Sequence, residues 1–278
     1  MFLGLFRASH PGPTLAVTAV TLILGFAVGL EGLRLSLVGL AMFAGQLSIG
    51  WSNDWIDVER DRSVKRSDKP VAAGSVSEIA VRNAAAVAVV LMIPLSFSLG
   101  FWAGVANVIS VAAGWSYNIW LKRTVFSGVP YLIAFGLLPL FVTLSLPAPL
   151  LAAPWAIAAG ALLGFAAHFA NVLPDLLDDA NTGVRGLPHV VGRVGSGVVA
   201  FAALLLASLF VVAGPLLAGL GVSAAAWAGL LLNVGISVVG LILVFSRPPT
   251  RLLFQLIIAS ALIDVVLLAL AGAAIAVG

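Results

Sequence analysis

Residues 53–69 hold ten of the 25 charged side chains of a 278-residue chain. Within them Asp54, Asp57 and Asp61 sit three and four positions apart, a spacing that puts all three on one face of a helix end. A second group, Asp175, Asp178 and Asp179, also shares one face, at i, i+3, i+4. Like charges on one turn repel each other and are tolerated where they bind cations or stay hydrated. The chain has no cysteine and three histidines, so disulfides, thiolate metal sites and cysteine nucleophiles are excluded. An all-oxygen donor set favours Mg2+ or Mn2+ over Zn2+, and Mg2+ commonly bridges one or two carboxylates to substrate phosphates.

Cations accompany both groups. Arg60, Arg62, Lys65, Arg66 and Lys69 follow the first, Lys122 and Arg123 lie mid-chain, and Arg185 and Arg193 follow the second. Two acidic patches with converging Lys and Arg suit a metal-bridged diphosphate. The surrounding sequence is rich in Trp, Phe, Leu and Gly and could bury a long apolar tail. A diphosphate on a hydrocarbon chain is a prenyl diphosphate. Its allylic C–O bond ionises when cations take up charge on the leaving group, and the carbocation must be kept from water. Trp51, Trp55, Trp115, Trp120 and Tyr117 are candidates to face that cation through cation–π attraction, although an interfacial belt or ordinary packing accounts for each of them singly.

These residues must be positioned by membrane helices. Of the chain, 62% is hydrophobic and 9% charged, against about 25% charged in soluble domains, and mean hydropathy is +1.16. That excludes a soluble globular domain, a disordered chain and a nucleic-acid binder. Stretches of about 20 apolar residues mark spans, and nine are expected: 14–30, 35–52, 79–99, 102–121, 128–147, 154–174, 197–220, 224–246 and 252–277. The first reads as a retained helix rather than a cleaved leader. With the N-terminus cytoplasmic, thirteen of the fourteen Lys and Arg residues fall on the cytoplasmic side and only Arg34 on the other, a strong positive-inside bias. The expectation is a multi-pass cell-membrane protein whose C-terminus is non-cytoplasmic and whose two acidic groups both lie at the cytoplasmic end.

Shifting the sequence by 118 residues lays Asn53 on Asn171, Asp57 on Asp175, Asp61 on Asp179, Pro70 on Pro188 and Gly74 on Gly192. Chance in so apolar a chain would favour Ala, Leu and Val matches. The expected architecture is therefore all-α: two pseudo-repeated four-helix units, about 10–125 and 128–246, and a ninth helix around a central cavity, forming one domain over 1–278. Equivalent ends of such repeats often surround one shared site.

With these residues assembled, the chain resembles the UbiA-type intramembrane prenyltransferases. Asn53-Asp54-x-x-Asp57-x-x-x-Asp61 looks like that family's first aspartate motif, and Asp175-Leu-Leu-Asp178-Asp179 like its second. Lys69-Pro70 with Gly74, Gly186-Leu187-Pro188 with Gly192, and Tyr117-Asn118 with Leu121-Lys122-Arg123 agree with it, over about residues 10–275. The resemblance implies Mg2+-dependent transfer of a prenyl group from its diphosphate to an aromatic or other lipophilic acceptor. Carried over, Asp54, Asp57 and Asp61 would hold one metal and Asp175 and Asp179 the other. Asn53 would orient a ligand, and Lys122, Arg66 and Arg123 would contact the diphosphate. Tyr117, Asn171 and Asp178 complete the candidate substrate-binding set.

The superfamily also resembles terpene cyclases and carotenoid-lengthening enzymes, which need no aromatic acceptor. A CDP-alcohol phosphatidyltransferase would need Gly where Val58 stands. A repeat-built secondary transporter would place its charges at the midplane. A solvated, salt-bridged loop explains the first acidic group more readily than the second. Asp264, midway along the last span, is either functional or a helix–helix hydrogen bonder. His168, one turn before Asn171, reads as polar packing before catalytic base, and His189 as a loop residue near the entrance. Asn107 and Asn233 are expected to join helices.

Overall fold

Only structures that satisfy every backbone N–H and C=O internally are stable in hydrocarbon, and this chain meets that demand with helices. The computed structural model describes residues 2–64, 66–173, 176, 183–246 and 251–277. Its helices are α1 (Phe2–Ala8), α2 (Pro11–Ala27), α3 (Gly32–Ile56), α4 (Val58–Ser63), α5 (Glu78–Phe97), α6 (Phe101–Ile119), α7 (Val129–Leu144), α8 (Pro154–Val172), α9 (Leu187–Leu217), α10 (Ala224–Ser246) and α11 (Arg251–Ala271), with a 3-10 turn at Leu121–Arg123. The protein is an all-α, multi-span membrane protein. Its one strand pairing among the described residues joins Leu151–Ala152 antiparallel to Ala276–Val277.

Every expected apolar stretch is occupied by a helix, but not every helix is a span by length and composition. Six are long and apolar enough, and α1 with α2, bent by 64° at their junction, makes a seventh. The sequence expectation of nine exceeds this for two physical reasons. Helix α7 has 16 residues. Helix α6 is diluted by Asn107, Ser110, Ser116, Tyr117 and Asn118. A second difference lies at α9, expected from 197 but starting at Leu187. It continues across Gly192, whose φ of 75° breaks the helical path, and it takes in His189, a residue expected in a loop.

Lipid is as apolar as leucine, so helices associate through close packing and polar contacts rather than a hydrophobic drive. Helix α2 packs on α3, α3 on α5 and α6, and α5 on α6. Helix α7 packs on α8, α8 on α9, and α9 on α10, while α6 meets α7 between these groups. Helix α11 contacts α2, α8, α9 and α10 and so closes the ring. Leu24, Val38, Phe141, Ala156, Val211 and Leu268 form the main core, and Phe169, Phe201, Leu204 and Ile257 a second one. Asn107 Nδ2 donates to Ser96 Oγ at 2.8 Å and joins α6 to α5, the role expected for it.

The bundle has two distinct ends. At one, Arg34 Nη1 donates to the carbonyls of Leu99 (3.3 Å) and Ser145 (2.9 Å), and the short strand pair holds 151–152 beside 276–277. The acidic face of α3 and α4 lies at the other.

Candidate active site at the carboxylate end of the bundle

Helix α3 runs four residues beyond its apolar stretch and carries Asn53 and Asp54 in its last turns. Asp57 stands at the junction with α4. The Asp57 N–H donates to the Asn53 carbonyl and the Asp61 N–H to the Asp57 carbonyl, so helical spacing persists through the bend. The three carboxylates therefore share one face, as their spacing predicts. Each is only 2% exposed.

Buried carboxylates require charged partners or hydrogen-bond donors, and cations from three segments supply them. Lys122 Nζ donates to Asp57 Oδ1 at 2.5 Å, and Arg60 Nη2 to Asp57 Oδ2 at 3.0 Å and Asp61 Oδ1 at 3.2 Å. Lys69 Nζ donates to Asp54 Oδ1 at 2.9 Å and Asn53 Oδ1 at 3.3 Å. His10 Nε2 lies 2.9 Å from the same Asp54 oxygen. Asn53 Nδ2 donates to Asn118 Oδ1 at 3.1 Å, and Asn118 Nδ2 in turn to Ser52 Oγ and the Ile49 carbonyl. Burial pulls the Lys122 ammonium below the usual lysine range, against the opposing pull of Asp57. This cation is stable where it stands because of its carboxylate.

His10 was not assigned to the site from sequence. It is the one described non-glycine residue with positive φ, 52°, and sits between α1 and α2. Its placement depends on Gly50 of α3, where a Cβ would run into the Ser9 carbonyl. The missing side chain lets the α1–α2 junction lie directly on α3, and Trp51 Nε1 clamps α1 by donating to the Leu5 carbonyl at 2.9 Å. The local signal, His10-Pro11 at a helix start, does not reveal a partner 44 residues away.

The other candidates divide into groups. Arg66 donates two 2.8 Å bonds to Asp68, which hold the Asp68 carboxyl below its ordinary range. Arg123 is exposed. Tyr117 stands edge-on to Tyr131, with ring centroids 5.3 Å apart, and to His168 at 5.8 Å. Asn171 Nδ2 donates to the Tyr131 hydroxyl at 3.2 Å. His168 is fully buried, with Nε2 2.9 Å from Ser127 Oγ. That hydroxyl also accepts from the Leu187 N–H at 2.8 Å. One residue of the loop that carries Lys122 thus touches both α8 and the start of α9, the segments on either side of the second acidic group. Asp175, Asp178 and Asp179 lie outside the described residues, as does Lys65.

Among the aromatics, Trp55 and Trp115 meet edge-on at 6.5 Å, while Trp120 is 65% exposed. Two turns along α3 from Asn53, Gln46 joins Val17, Met42, Asn107, Phe135 and Leu138 in lining a mostly apolar cleft. Among the described residues no three His, Asp or Glu side chains converge as one metal site; the carboxylates turn to cations instead, Asp54 to Lys69, Asp57 to Lys122, and Asp57 and Asp61 together to Arg60. The donor chemistry nonetheless fits a hard divalent ion. All the ligand atoms are oxygens, and Asp54 Oδ2 is buried without a hydrogen-bond partner among the described residues.

The family model described as the UbiA prenyltransferase family matches residues 13–253. Among solved structures, a digeranylgeranylglyceryl phosphate synthase is 16% identical with a TM-score of 0.71, covering 98% of both chains. A UbiA homologue from Archaeoglobus fulgidus bound to GPP and Mg2+ is 12% identical with a TM-score of 0.70, covering 98% of this chain and 99% of that one. The apo UbiA homologue from Aeropyrum pernix K1 is 18% identical with a TM-score of 0.66, covering 95% and 96%. At these identities the likeness is one of fold. No curated protein matches significantly.

Proposed function

Because the chain belongs to the UbiA prenyltransferase family, transferases of prenyl groups, we propose that it moves a prenyl group from a prenyl diphosphate to an aromatic or other lipophilic acceptor in an Mg2+-dependent reaction. The observation that carries this reading is the buried carboxylate face Asp54–Asp57–Asp61, met by Lys69, Arg60 and Lys122 at one end of an apolar bundle. Fold relatives bound to GPP or DMAPP together with Mg2+ support it.

In this reading Asp54, Asp57 and Asp61 would hold one Mg2+ and Asp175 and Asp179 a second, with Asp178 and Asn171 contributing to substrate binding. Bound Mg2+ neutralises charge on the diphosphate leaving group. The chain's own cations add to that effect. Lys122 and Arg60 exchange carboxylate oxygens for diphosphate oxygens, Arg66 and Arg123 join them from the rim, and together they stabilise the charge that develops as the allylic C–O bond breaks. The bonding pair leaves with the diphosphate. The acceptor attacks the allylic carbon and gives up a proton. Asn53, fixed by Asn118, orients the head group, and the cleft at Gln46 and Phe135 receives the start of the hydrocarbon tail. Tyr117 and the Trp55–Trp115 pair present ring faces that exclude water and attract the cation.

We also propose nine crossings, with the carboxylate end cytoplasmic. Helix α3 reaches from Arg34 to Asp57. Helix α6 starts just after Leu99, against Arg34, and ends just before Lys122, against Asp57. Helix α7 runs from Ser127 back to Ser145, again against Arg34. These contacts support full crossings by the two helices that are too polar or too short on composition alone, and the placement of the Lys and Arg residues supports the orientation. A duplication over about 10–125 and 128–246 is supported by Gly74 and Gly192, whose φ values are 74° and 75°. It is also supported by Ser9 meeting Gly50 where Ser127 meets His168, 118 residues on.

The test is purified protein with Mg2+ and prenyl diphosphates of several lengths, with and without a host lipid extract. The expected result is diphosphate release together with a prenylated lipid, seen by mass spectrometry. Products formed equally without acceptor would mean a cyclase, and no ionisation of any chain length would end the proposal.

A further inference from the structure

Away from the carboxylate end, five polar residues are buried on three packed helices of the bundle. Ser208 of α9, Asn233 and Ser237 of α10, and Ser260 and Asp264 of α11 are all fully buried. Asp264 Oδ1 accepts from the Ser208 hydroxyl and, at 2.8 Å, from Asn233 Nδ2. Asn233 Nδ2 also reaches Ser208 Oγ at 2.9 Å and the Ser260 carbonyl at 3.3 Å. Four further oxygens have no partner among the described residues: Asp264 Oδ2, Asn233 Oδ1, Ser237 Oγ and Ser260 Oγ. Ser237 follows Asn233 by four residues and Ser260 precedes Asp264 by four, so each pair shares a helix face.

We propose that α9, α10 and α11 enclose a binding site for one small monovalent cation, Na+, with Asp264 as its anionic ligand. The argument begins with charge. A buried carboxylate at this depth is costly unless paired, and among the described residues no Lys, Arg or His bonds to Asp264. Two donors fill Oδ1 while Oδ2 stands without one among the described residues, so a ligand at Oδ2 would supply both the missing partner and the compensating charge. A divalent ion would leave a net positive charge in the same interior. One monovalent cation balances it.

The orphaned oxygens agree. A proton on Asp264 Oδ2 would occupy that atom alone and leave Asn233 Oδ1, a pure acceptor, unmet. A cation takes lone pairs where a proton serves a single atom, and hard oxygen donors are what a small hard cation takes. The two serines add an independent sign. Hydroxyls in other helices of the bundle bond back to their own backbone, as at Thr18 and Thr21 of α2, Ser96 of α5 and Ser110 of α6. Ser237 and Ser260 do not, although both are fully buried. Bound there, the ion would tie three helices through one point without touching any residue of the carboxylate end.

The test is thermal unfolding of the full-length protein in detergent at fixed pH and saturating Mg2+, with NaCl replacing choline chloride at constant ionic strength. The expected result is a saturable rise in Tm of roughly 5 °C, larger with Na+ than with K+. Ser237→Ala and Ser260→Ala should each shift the half-saturating Na+ concentration upward by about tenfold, as expected for one lost ligand. Asp264→Asn should abolish the response, whereas Asp54→Asn should keep it. A wild-type Tm equal in Na+, K+ and choline overturns the site without any variant. So does a Tm that follows pH but not Na+, which would mean a protonated Asp264 with a buried water. A Na+ response lost in Asp54→Asn but kept in Asp264→Asn would move the effect to the carboxylate end and also overturn it.

Discussion

Asp57 occupies the bend between α3 and α4 and is the one carboxylate whose two oxygens are divided between Lys122 and Arg60. Removing it should therefore disturb both metal binding and cation placement. Asp57→Ala is expected to lower turnover at least about a thousandfold, on the scale of losing a main electrostatic contribution to the transition state; near-normal steady-state rates would defeat the paired-metal model. Stability should respond differently. Breaking a buried pair by removing one partner costs about 3–5 kcal/mol, whereas replacing both with apolar groups is often neutral. Asp57→Asn leaves the Lys122 ammonium, 5% exposed, facing an amide. The metal-free single variant is expected to melt well below wild type, and Asp57→Asn/Lys122→Met to recover most of the difference; a double variant no more stable than the single would show that the pair is not coupled. In the same residues, Lys122→Met alone should weaken prenyl diphosphate affinity by roughly tenfold or more, in line with a lost charged hydrogen bond of about 1.5–3 kcal/mol, read by direct titration. The carboxylate face was legible in the sequence because three- and four-residue spacing is a local property of one helix. The pairing of Lys122 with Asp57 was legible only as a tendency, since a contact across 65 residues depends on where two helices end.

At the scale of elements, the site depends on how closely the α1–α2 junction lies on α3. Gly50 permits that approach, and His10 reaches Asp54 as a result. Gly50→Val would place methyl groups against the Ser9 backbone, where the neighbour is main chain and cannot rotate away. The expected outcome is a fall in Tm with a marked loss of turnover, because the junction moves outward and takes His10 from Asp54. Gly12→Ala, one turn into the same region with open space around it, should change neither. Equal effects of the two substitutions in a thermal-shift and activity comparison would remove the junction from the site. Sequence reading placed the helices well wherever apolar periodicity ran unbroken. It missed the first ten residues of α9, where Pro188, Gly192 and Arg193 interrupt the pattern although the helix resumes across the Gly192 break. It missed the Leu151–Val277 strand pairing entirely, because two-residue strands have no period to read.

For the whole molecule, the number of crossings is where composition and contacts part. Hydropathy and length support six or seven spans, since α6 spends polar residues on the carboxylate end and α7 is short. Contacts at the ends give a parity argument instead. Leu99, Ser145 and Arg34 meet at one end, and the loop strand at 151–152 pairs there with 276–277, so the chain from 152 to 276 must cross an even number of times. Helices α8, α9, α10 and α11 supply four. Lys122 and Ser127, between α6 and α7, belong to the opposite end with Asp57 and Leu187. A topology reporter inserted in the loop at 147–149 and one fused after residue 278 are therefore expected to give the same, non-cytoplasmic signal. A reporter at 124–126 should read cytoplasmic, as the positive-inside bias requires. Opposite signals from the first two would break the parity that the strand pairing implies. A non-cytoplasmic signal at 124–126 would put Asp57 and Lys122 on the wrong face for a prenyl diphosphate delivered from the cytoplasm.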